Sequence, residues 1–519
     1  MKICIVGGGT AGWMTAVTFT TLLKDVAEEV TLIESSNNKP IGVGESTLYH
    51  ITQWLKSVEI DEKEFIARTN ATLKHSIRFT NWLKKDSGSF HYPFGEQPVF
   101  SPEMWWAYYE DPHDGNPESN VYMKYNLPLP QYNDYSVMIN PIARVAEAGC
   151  INNHLEYAYH FDACKFADFL NERCGDSVKR IDANVVDCEL NDDGIKTLKL
   201  DTGEEVEADL YVDCTGFKSQ LLGEFLNEPF ISFEHLLPND RAIATHVPYR
   251  DKEKELVAYT DNIAYDNGWI WKIPLWDRMG SGYVYSSKYI SDEDAKVEYI
   301  NWLEEQGYDT SECEFKLIPM RVGRHERGYV KNVVAIGLSS GFIEPLESSG
   351  LFTVHNNLKD LFMILRRGDP SAILKEYYNK SISMNFDEFA DFVAVHWAFT
   401  QRQDTPYWKD IFNKEYDLRG IENYERFGLT AFQQDLMKNE KYTHLNSGFH
   451  YISSSMGVRP FFKPYYQSPH IENMFITHSK WDDLIKNRLP SAYEYMRDNY
   501  YDPPLEVAQE NEKHDSVDV

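Results

Sequence analysis

Lys2-Ile3-Cys4-Ile5-Val6-Gly7-Gly8-Gly9-Thr10-Ala11-Gly12-Trp13 is the stretch on which the fold turns. Lys2 to Val6 is a short apolar run of the kind that forms a buried strand. Gly7 to Gly12 then fits GxGxxG, and Trp13, Ala16, Val17 and Thr20 recur at helical spacing. Val30-Thr31-Leu32-Ile33-Glu34 supplies a second strand. The glycines differ in what they permit. Gly7 allows the tight turn, Gly9 lets the backbone approach a pyrophosphate, and Gly12 allows close helix packing. Glu34 falls about twenty positions after Gly12, where an acid accepts hydrogen bonds from a ribose and repels a 2′-phosphate. Strand, Gly-rich turn, helix, strand and terminal acid together predict an α/β, Rossmann-like dinucleotide fold. A Gly-rich turn without a ligand is the alternative.

Further along, Gly42-Val43-Gly44-Glu45-Ser46-Thr47 precedes Leu48, Ile51 and Trp54 at helical spacing; its close glycines imply an exposed backbone near a ligand, or a simple connector. Residues 71–79 alternate, with Leu73, His75, Ile77 and Phe79 facing one way and Lys74, Ser76 and Arg78 the other. Such a cationic face is either a solvated edge or a lysine directed into a cavity, where burial perturbs its basicity. Residues 90–140 are rich in aromatics and turns, among them Phe90, Tyr92, Phe94, Trp105, Trp106, Tyr125 and Tyr132, and read as loops over a pocket or as packing. His160 to Leu170 reads as a helix start capped by Asp162, Val178–Leu200 as a hairpin turning at Asn191-Asp192-Asp193-Gly194, and Asp209–Gly216 as a strand returning to the nucleotide unit.

Gly268-Trp269-Ile270-Trp271-Lys272-Ile273-Pro274 puts Trp269 and Trp271 on one face of an antiparallel strand, as core packing or as a wall against a planar ligand. Asn332–Gly337 is another buried-type strand, closed by Gly337. Beyond it, Gly341-Phe342-Ile343-Glu344-Pro345-Leu346-Glu347-Ser348-Ser349-Gly350 feeds a helix marked by Leu351, Val354, Leu358, Leu361 and Leu365. Ser348 or Ser349 is the expected N-cap, and the free N–H groups of that helix start favour an anion. Glu344 and Glu347 sit beside this anion site, either as solvated side chains or as a deliberately awkward arrangement of the kind found at working sites. From about residue 356 the pattern is mostly helical, with Trp397, Trp408, Phe427 and Phe432 as packing aromatics, and Asp502 to Val519 is polar and acidic.

The chain has 519 residues, enough for several domain-sized units and a large core. Its 33 Tyr and 12 Trp exceed what a plain scaffold needs and point to pockets for flat ligands. A formal net charge of −30 and a pI near 4.9 argue against nucleic acid and anionic membranes as partners, and require a local positive site for any anionic ligand. The seven cysteines are dispersed without a CxxC pair. This argues against a disulfide framework or a metal site and for a reducing, cytoplasmic compartment. Met1-Lys2 leads straight into a strand and no apolar run of about 18 residues occurs, so neither a signal peptide nor a membrane span is expected.

Five motifs in order, GGGTAGW at 7–13, GVGEST at 42–47, HFDACKFADFL at 160–170, GWIWKIP at 268–274 and GFIEPLESSG at 341–350, together resemble the flavin-dependent halogenases of the tryptophan-halogenase type. The resemblance runs from Met1 to about Trp408, and the WxWxIP element separates these enzymes from ordinary flavin monooxygenases. It implies an FAD-binding flavoprotein fold with an antiparallel sheet region and a mostly helical C-terminal, substrate-side part. The expected division is an FAD-binding box at 1–355 with substrate-side loops inserted at about 90–140, a helical part at 356–502, and a disordered acidic tail at 503–519.

By the same resemblance, a separate flavin reductase supplies FADH2, and O2 converts it to a C4a-hydroperoxide. Chloride, bromide or iodide attacks the distal oxygen to give hypohalous acid. That acid passes through an internal tunnel to Lys74 and Glu347 beside a small aromatic substrate, with Ser348 next to the glutamate. Ser349 and Gly350 match the halide-binding turn, with Ser349 standing where the family usually has Thr. Gly7, Gly9, Thr10, Ala11 and Gly12, with Glu34 and Gly337, match the FAD contacts, and Gly44, Glu45 and Ser46 the strap between the two compartments. Trp269 and Trp271 would pack away groups that catalyse ordinary hydroxylation. Tyr92 and Phe94 match the substrate pocket. The family's HxFG element reads Tyr92-Pro93-Phe94-Gly95 here, which leaves the arene open between an indole and a phenol. An aromatic hydroxylase and a flavin-holding protein without turnover are the competing readings; a homo-oligomer stays open.

Overall fold

A computed structural model of the chain describes residues 1–36, 42, 44–95, 140–368, 370–418, 446–458, 480–481 and 483–502. A six-stranded sheet runs in the order Tyr329–Val330, Val333–Ala335, Leu210–Asp213, Lys2–Val6, Glu29–Glu34, Lys179–Asp182. All its pairings are parallel except the edge hairpin of Tyr329–Val330 with Val333–Ala335. Lys2–Val6 is central, buried beyond Lys2, and its chain turns at Gly7 into the helix Thr10–Thr21. Gly7 has φ +114, and a Cβ there would press on the Cys214 carbonyl, so only glycine makes this turn. The helix is buried from Gly12 to Phe19 on all sides rather than along one face, because it lies against the helices Ala163–Cys174 and Ser349–Leu365.

A seven-stranded sheet stands beside it: Lys316–Pro319, Arg241–Val247, Met279–Tyr285, Gly268–Pro274, Tyr259–Tyr265, Ser76–Thr80, Ser89–Pro93. It is antiparallel except between Tyr259–Tyr265 and Ser76–Thr80. A small three-stranded sheet, Glu45–Ser46, Ala158–Phe161, Thr72–Lys74, bridges the two. One continuous apolar core holds residues of both large sheets and of the later helices, including Ile3, Leu32, Phe79, Trp269, Leu358 and Trp397.

Several expectations change. Residues 71–79 are not one alternating strand but two, Thr72–Lys74 and Ser76–Thr80, in different sheets. His75 lies at the break, its N–H donating to the Ala258 carbonyl at 2.7 Å. Thr72–Lys74 is buried on both faces, so Lys74 is buried rather than solvated, while Arg78 and Thr80 of the next strand stay half-buried. The hairpin spans Val185–Asn191 and Gly194–Leu200, while Lys179–Asp182 leaves it to pair with Glu29–Glu34. Residues 89–93 form an edge strand instead of loops; 96–139, with Trp105, Trp106, Tyr125 and Tyr132, lie outside the described residues, as do Phe427, Phe432 and 503–519. His160 and Phe161 close a strand, and the helix begins after Asp162, whose carboxylate accepts from the N–H groups of Cys164 and Lys165. The helix Ser349–Leu365 runs unbroken across the expected 355/356 boundary and shares its core with the sheets.

Candidate active site

The Gly-rich turn opens on a cavity of about 640 Å³. Its lining includes Gly7 to Ala11, Glu34 and Asn184 around the nucleotide turn, and Trp269, Trp271, Ser46, Ser348 and Gly350 from other stretches. Gly9 caps the Thr10–Thr21 helix without a side-chain hydrogen bond, and no acid stands in its first turn, so its leading N–H groups face the cavity with their partial positive charge. A Cβ on Gly9 would meet nothing within 4 Å, whereas one on Gly12 would lie 1.8 Å from the Gly7 carbonyl oxygen. Gly337 brings Ala11 and Val354 to 3.1 Å of where its own Cβ would be. Glu34 ends the second strand and is paired with Arg180. Free helix donors, an acid at the end of the second strand and indole walls around one cavity fit a dinucleotide carrying a flat ring system, as FAD does.

Behind the Ser46 and Ser348 wall of this cavity the small bridging sheet delivers Lys74. Its Nζ is fully buried and donates to Ser46 Oγ at 2.8 Å, to Ser348 Oγ at 2.8 Å and to the Thr47 carbonyl at 2.9 Å. The Phe94 ring lies over it at 5.1 Å. Among the described residues no carboxylate forms an ion pair with it. Burial pulls the ammonium well below its ordinary pKa, with Glu347 acting the other way through space. Ser46 and Ser348 line the cavity and Lys74 stands directly behind them.

Glu347 arrives through the one-turn helix Pro345–Glu347, after which Ser348 takes a left-handed conformation at φ +58. That conformation costs a non-glycine residue about 1–2 kcal/mol. Ser348 occupies the N-cap position but its hydroxyl does not cap; it turns to Lys74 instead. Neither acid of this stretch is solvated: Glu344 is 0% and Glu347 1% exposed. Burial raises Glu347 above the usual carboxylate range, opposed by His396 and Lys74. His396 Nε2 lies 3.1 Å from Glu347 Oε1 but out of line, so neither carboxylate oxygen receives a hydrogen bond among the described residues. Glu344 accepts from Asn239 Nδ2 and Trp269 Nε1, and burial pushes it up to about 8. Gly350 faces the cavity with Glu45 Oε2 at 4.0 Å from where its Cβ would be; burial pushes Glu45 up to about 7, which softens its repulsion of an anion there.

The residues singled out from sequence fall in two groups. Gly7, Gly9, Thr10, Ala11, Glu34, Gly44, Glu45, Ser46, Trp269, Trp271, Gly337, Ser348 and Gly350 line one cavity, and Gly12 packs beneath it. Lys74, Phe94 and Glu347 lie behind its far wall, and Ser349 is buried at the start of the helix. Tyr92 stands apart from the cavity, against Phe392 at 6.0 Å and Tyr451 at 6.2 Å. Sequence reading missed His396, Thr260 and Thr72, which carry no local signal, and read His160 only as part of a helix start. The described residues contain no cluster of His, Cys, Asp and Glu able to hold a metal, and no helix long and apolar enough to cross a membrane.

The profile of the family described as tryptophan halogenase matches residues 2–463. A tryptophan 6-halogenase of Streptomyces toxytricini is 33% identical over 520 aligned positions, covering 95% of this chain and 97% of that one. A tryptophan 7-halogenase of Lentzea aerocolonigenes is 33% identical, covering 80% and 79%. Among solved structures, a tryptophan C-6 flavin-dependent halogenase (chlorinase) from taromycin biosynthesis superposes with a TM-score of 0.81 at 29% identity, over 95% of this chain and 99% of that one.

Proposed function

This chain belongs to the tryptophan halogenase family, and from that premise we propose that it halogenates an indole-bearing arene, using FADH2 from a separate reductase, O2 and a halide. The observation that carries this is the placement of Lys74 and Glu347: both are buried behind the Ser46 and Ser348 wall of the cavity that the dinucleotide turn also lines. Reduced flavin bound there supplies the activation of O2 that turns halide into hypohalous acid. The rest is the work of the chain's own groups. The N–H groups of the Thr10–Thr21 helix would hold the pyrophosphate and Glu34 the ribose, and Trp269 and Trp271 would wall the flat ring beside the polar Ser46, Thr260 and Asn262. Backbone N–H groups at Ser349 and Gly350 hold the halide without bringing a proton to it.

Hypohalous acid then needs only to pass the Ser46 and Ser348 hydroxyls to meet Lys74. The amine orients it, either by a hydrogen bond from the ammonium or as a haloamine. Glu347, with His396 Nε2 at 3.1 Å and no aligned donor on its oxygens among the described residues, stabilises the cationic ring and takes its proton. The family relatives named as acting on tryptophan support an indole substrate.

The test is a panel of indoles and phenols with reduced FAD and each halide, read by mass spectrometry. Halide-dependent gain of halogen is expected, and halide-independent gain of oxygen would return the hydroxylase reading. Lys74→Ala is expected to abolish halogenation while halide-dependent flavin oxidation continues. Loss of both would make Lys74 a structural residue.

A further inference from the structure

The hydrogen bonds around Lys74 continue beyond it in a buried line with a forced direction. Thr72 Oγ1 lies 2.6 Å from the Pro274 carbonyl, which can only accept, so the Thr72 proton points there. His160 Nδ1, 3.2 Å from the same hydroxyl, must therefore donate to it. A neutral imidazole that donates at Nδ1 accepts at Nε2. Nε2 lies 2.9 Å from Thr260 Oγ1, so Thr260 donates to it. Thr260 Oγ1 is 2.6 Å from Ser46 Oγ and, its own proton spent, accepts from it. Ser46 then has only lone pairs left, and these meet Lys74 Nζ at 2.8 Å and Ser348 Oγ at 3.0 Å. The Ser348 proton goes to Ser46, so Ser348 too shows a lone pair to Lys74 at 2.8 Å. With the Thr47 carbonyl, all three Lys74 protons find acceptors, the arrangement an ammonium requires and an amine does not.

The bridging sheet makes this possible: His160 is the register partner of both Ser46 and Thr72. His160, Thr72 and Lys74 are 0% exposed, so the two ends of the line are fixed by protein groups, while Ser46, Thr260 and Ser348 between them border the cavity.

We infer that His160 is a positioning residue for Lys74: acting through Thr260 and Ser46, its Nε2 lone pair turns the hydroxyls so that Lys74 is held as the ammonium in a buried site with no ion-pair partner among the described residues. This deepens the role given to Lys74 above and rests on that reading for its meaning in catalysis, where it favours the ammonium over a haloamine, one of the three Lys74 hydrogen bonds being exchanged for one to the oxidant. Burial and the Lys74 charge keep His160 neutral, as the direction requires. Among the described residues, Glu347 from the Pro345–Glu347 turn acts on Lys74 through space, and Glu45 from the strap strand borders the cavity next to Ser46.

The experiment titrates Lys74 directly. Protein carrying lysine labelled with carbon-13 at Cε is followed by NMR against pH, and the Lys74 signal is assigned by its loss in Lys74→Met. His160→Phe removes the acceptor and is expected to lower the Lys74 pKa by about one pH unit or more. His160→Gln, whose amide accepts from Thr260 and donates to Thr72, is expected to restore it. Thr260→Val cuts the line while leaving His160 in place; it is expected to match His160→Phe and serves if that variant does not fold. An unchanged or raised Lys74 pKa in a folded His160→Phe or Thr260→Val protein overturns the inference, as does a His160→Gln value no higher than that of His160→Phe. The readout needs neither flavin nor substrate, so a wild-type protein that fails to halogenate would sink the proposed function and leave this result standing.

Discussion

Residue by residue, the loop Gly341–Gly350 spends its polar groups away from solvent. Glu344 was visible in the sequence as a carboxyl near an anion site, but its partners were not. Its acceptor oxygen serves Trp269 Nε1 and Asn239 Nδ2, while its other oxygen has no partner among the described residues, a combination that suits a neutral acid. The consequence is a pH-dependent stability. The folded carboxyl sits at about 8 against an ordinary value of 4.5, so between those values the folded state holds a proton the unfolded state has lost. Stability falls there as pH rises, by roughly 1.4 kcal/mol per pH unit from this group. Glu344→Gln keeps the acceptor oxygen and is expected to flatten that slope. Urea unfolding at several pH values between 5 and about 8 checks it; parallel slopes in variant and wild type would show that Glu344 is not held neutral.

Among the elements, the Gly-rich turn was legible because each glycine answers a local geometric demand. Gly12 and Gly9 nevertheless differ in kind. Gly12→Ala drives a Cβ to within 1.8 Å of the Gly7 carbonyl and is expected to destabilise the protein by about 1–3 kcal/mol. Gly9→Val points into open cavity, and is expected to leave the thermal midpoint of the ligand-free protein near wild type while weakening FAD binding about tenfold or more. Calorimetric unfolding and an FAD titration separate the two; equal destabilisation by both would mean that Gly9 is packed rather than open. The short bridging sheet was the least legible element. Its strands Glu45–Ser46 and Thr72–Lys74 have 2 and 3 residues, too few for any periodicity to show. The alternation seen over 71–79 is real in sequence, yet the chain changes sheets at His75 and both faces of Thr72–Lys74 end up covered.

At the scale of the whole molecule, the charge of −30 sets the conditions under which an anionic halide arrives. Its approach is opposed by the long-range field, so a non-halide salt is expected to lower the apparent KM for bromide about two- to threefold as ionic strength rises toward about 0.15 M. Steady-state halogenation at fixed arene and FADH2 measures this, and a KM that rises with salt would mean that the cavity mouth is locally positive. Local chemistry in the chain was enough to specify the nucleotide turn, the helix behind Gly350, the Asp162 cap and the pairing of Trp269 with Trp271 on one strand. These depend on neighbours a few residues apart, whose backbone geometry and spacing are written into the residue types. What only the tertiary structure decided is the environment of Lys74: the hydroxyls of Ser46, Thr260 and Ser348 and the imidazole of His160 come from four separate stretches. Sheet register and the left-handed turn at Ser348 bring them together. A proton's direction along that line depends on which group ends it, and only the packed chain places the Pro274 carbonyl there.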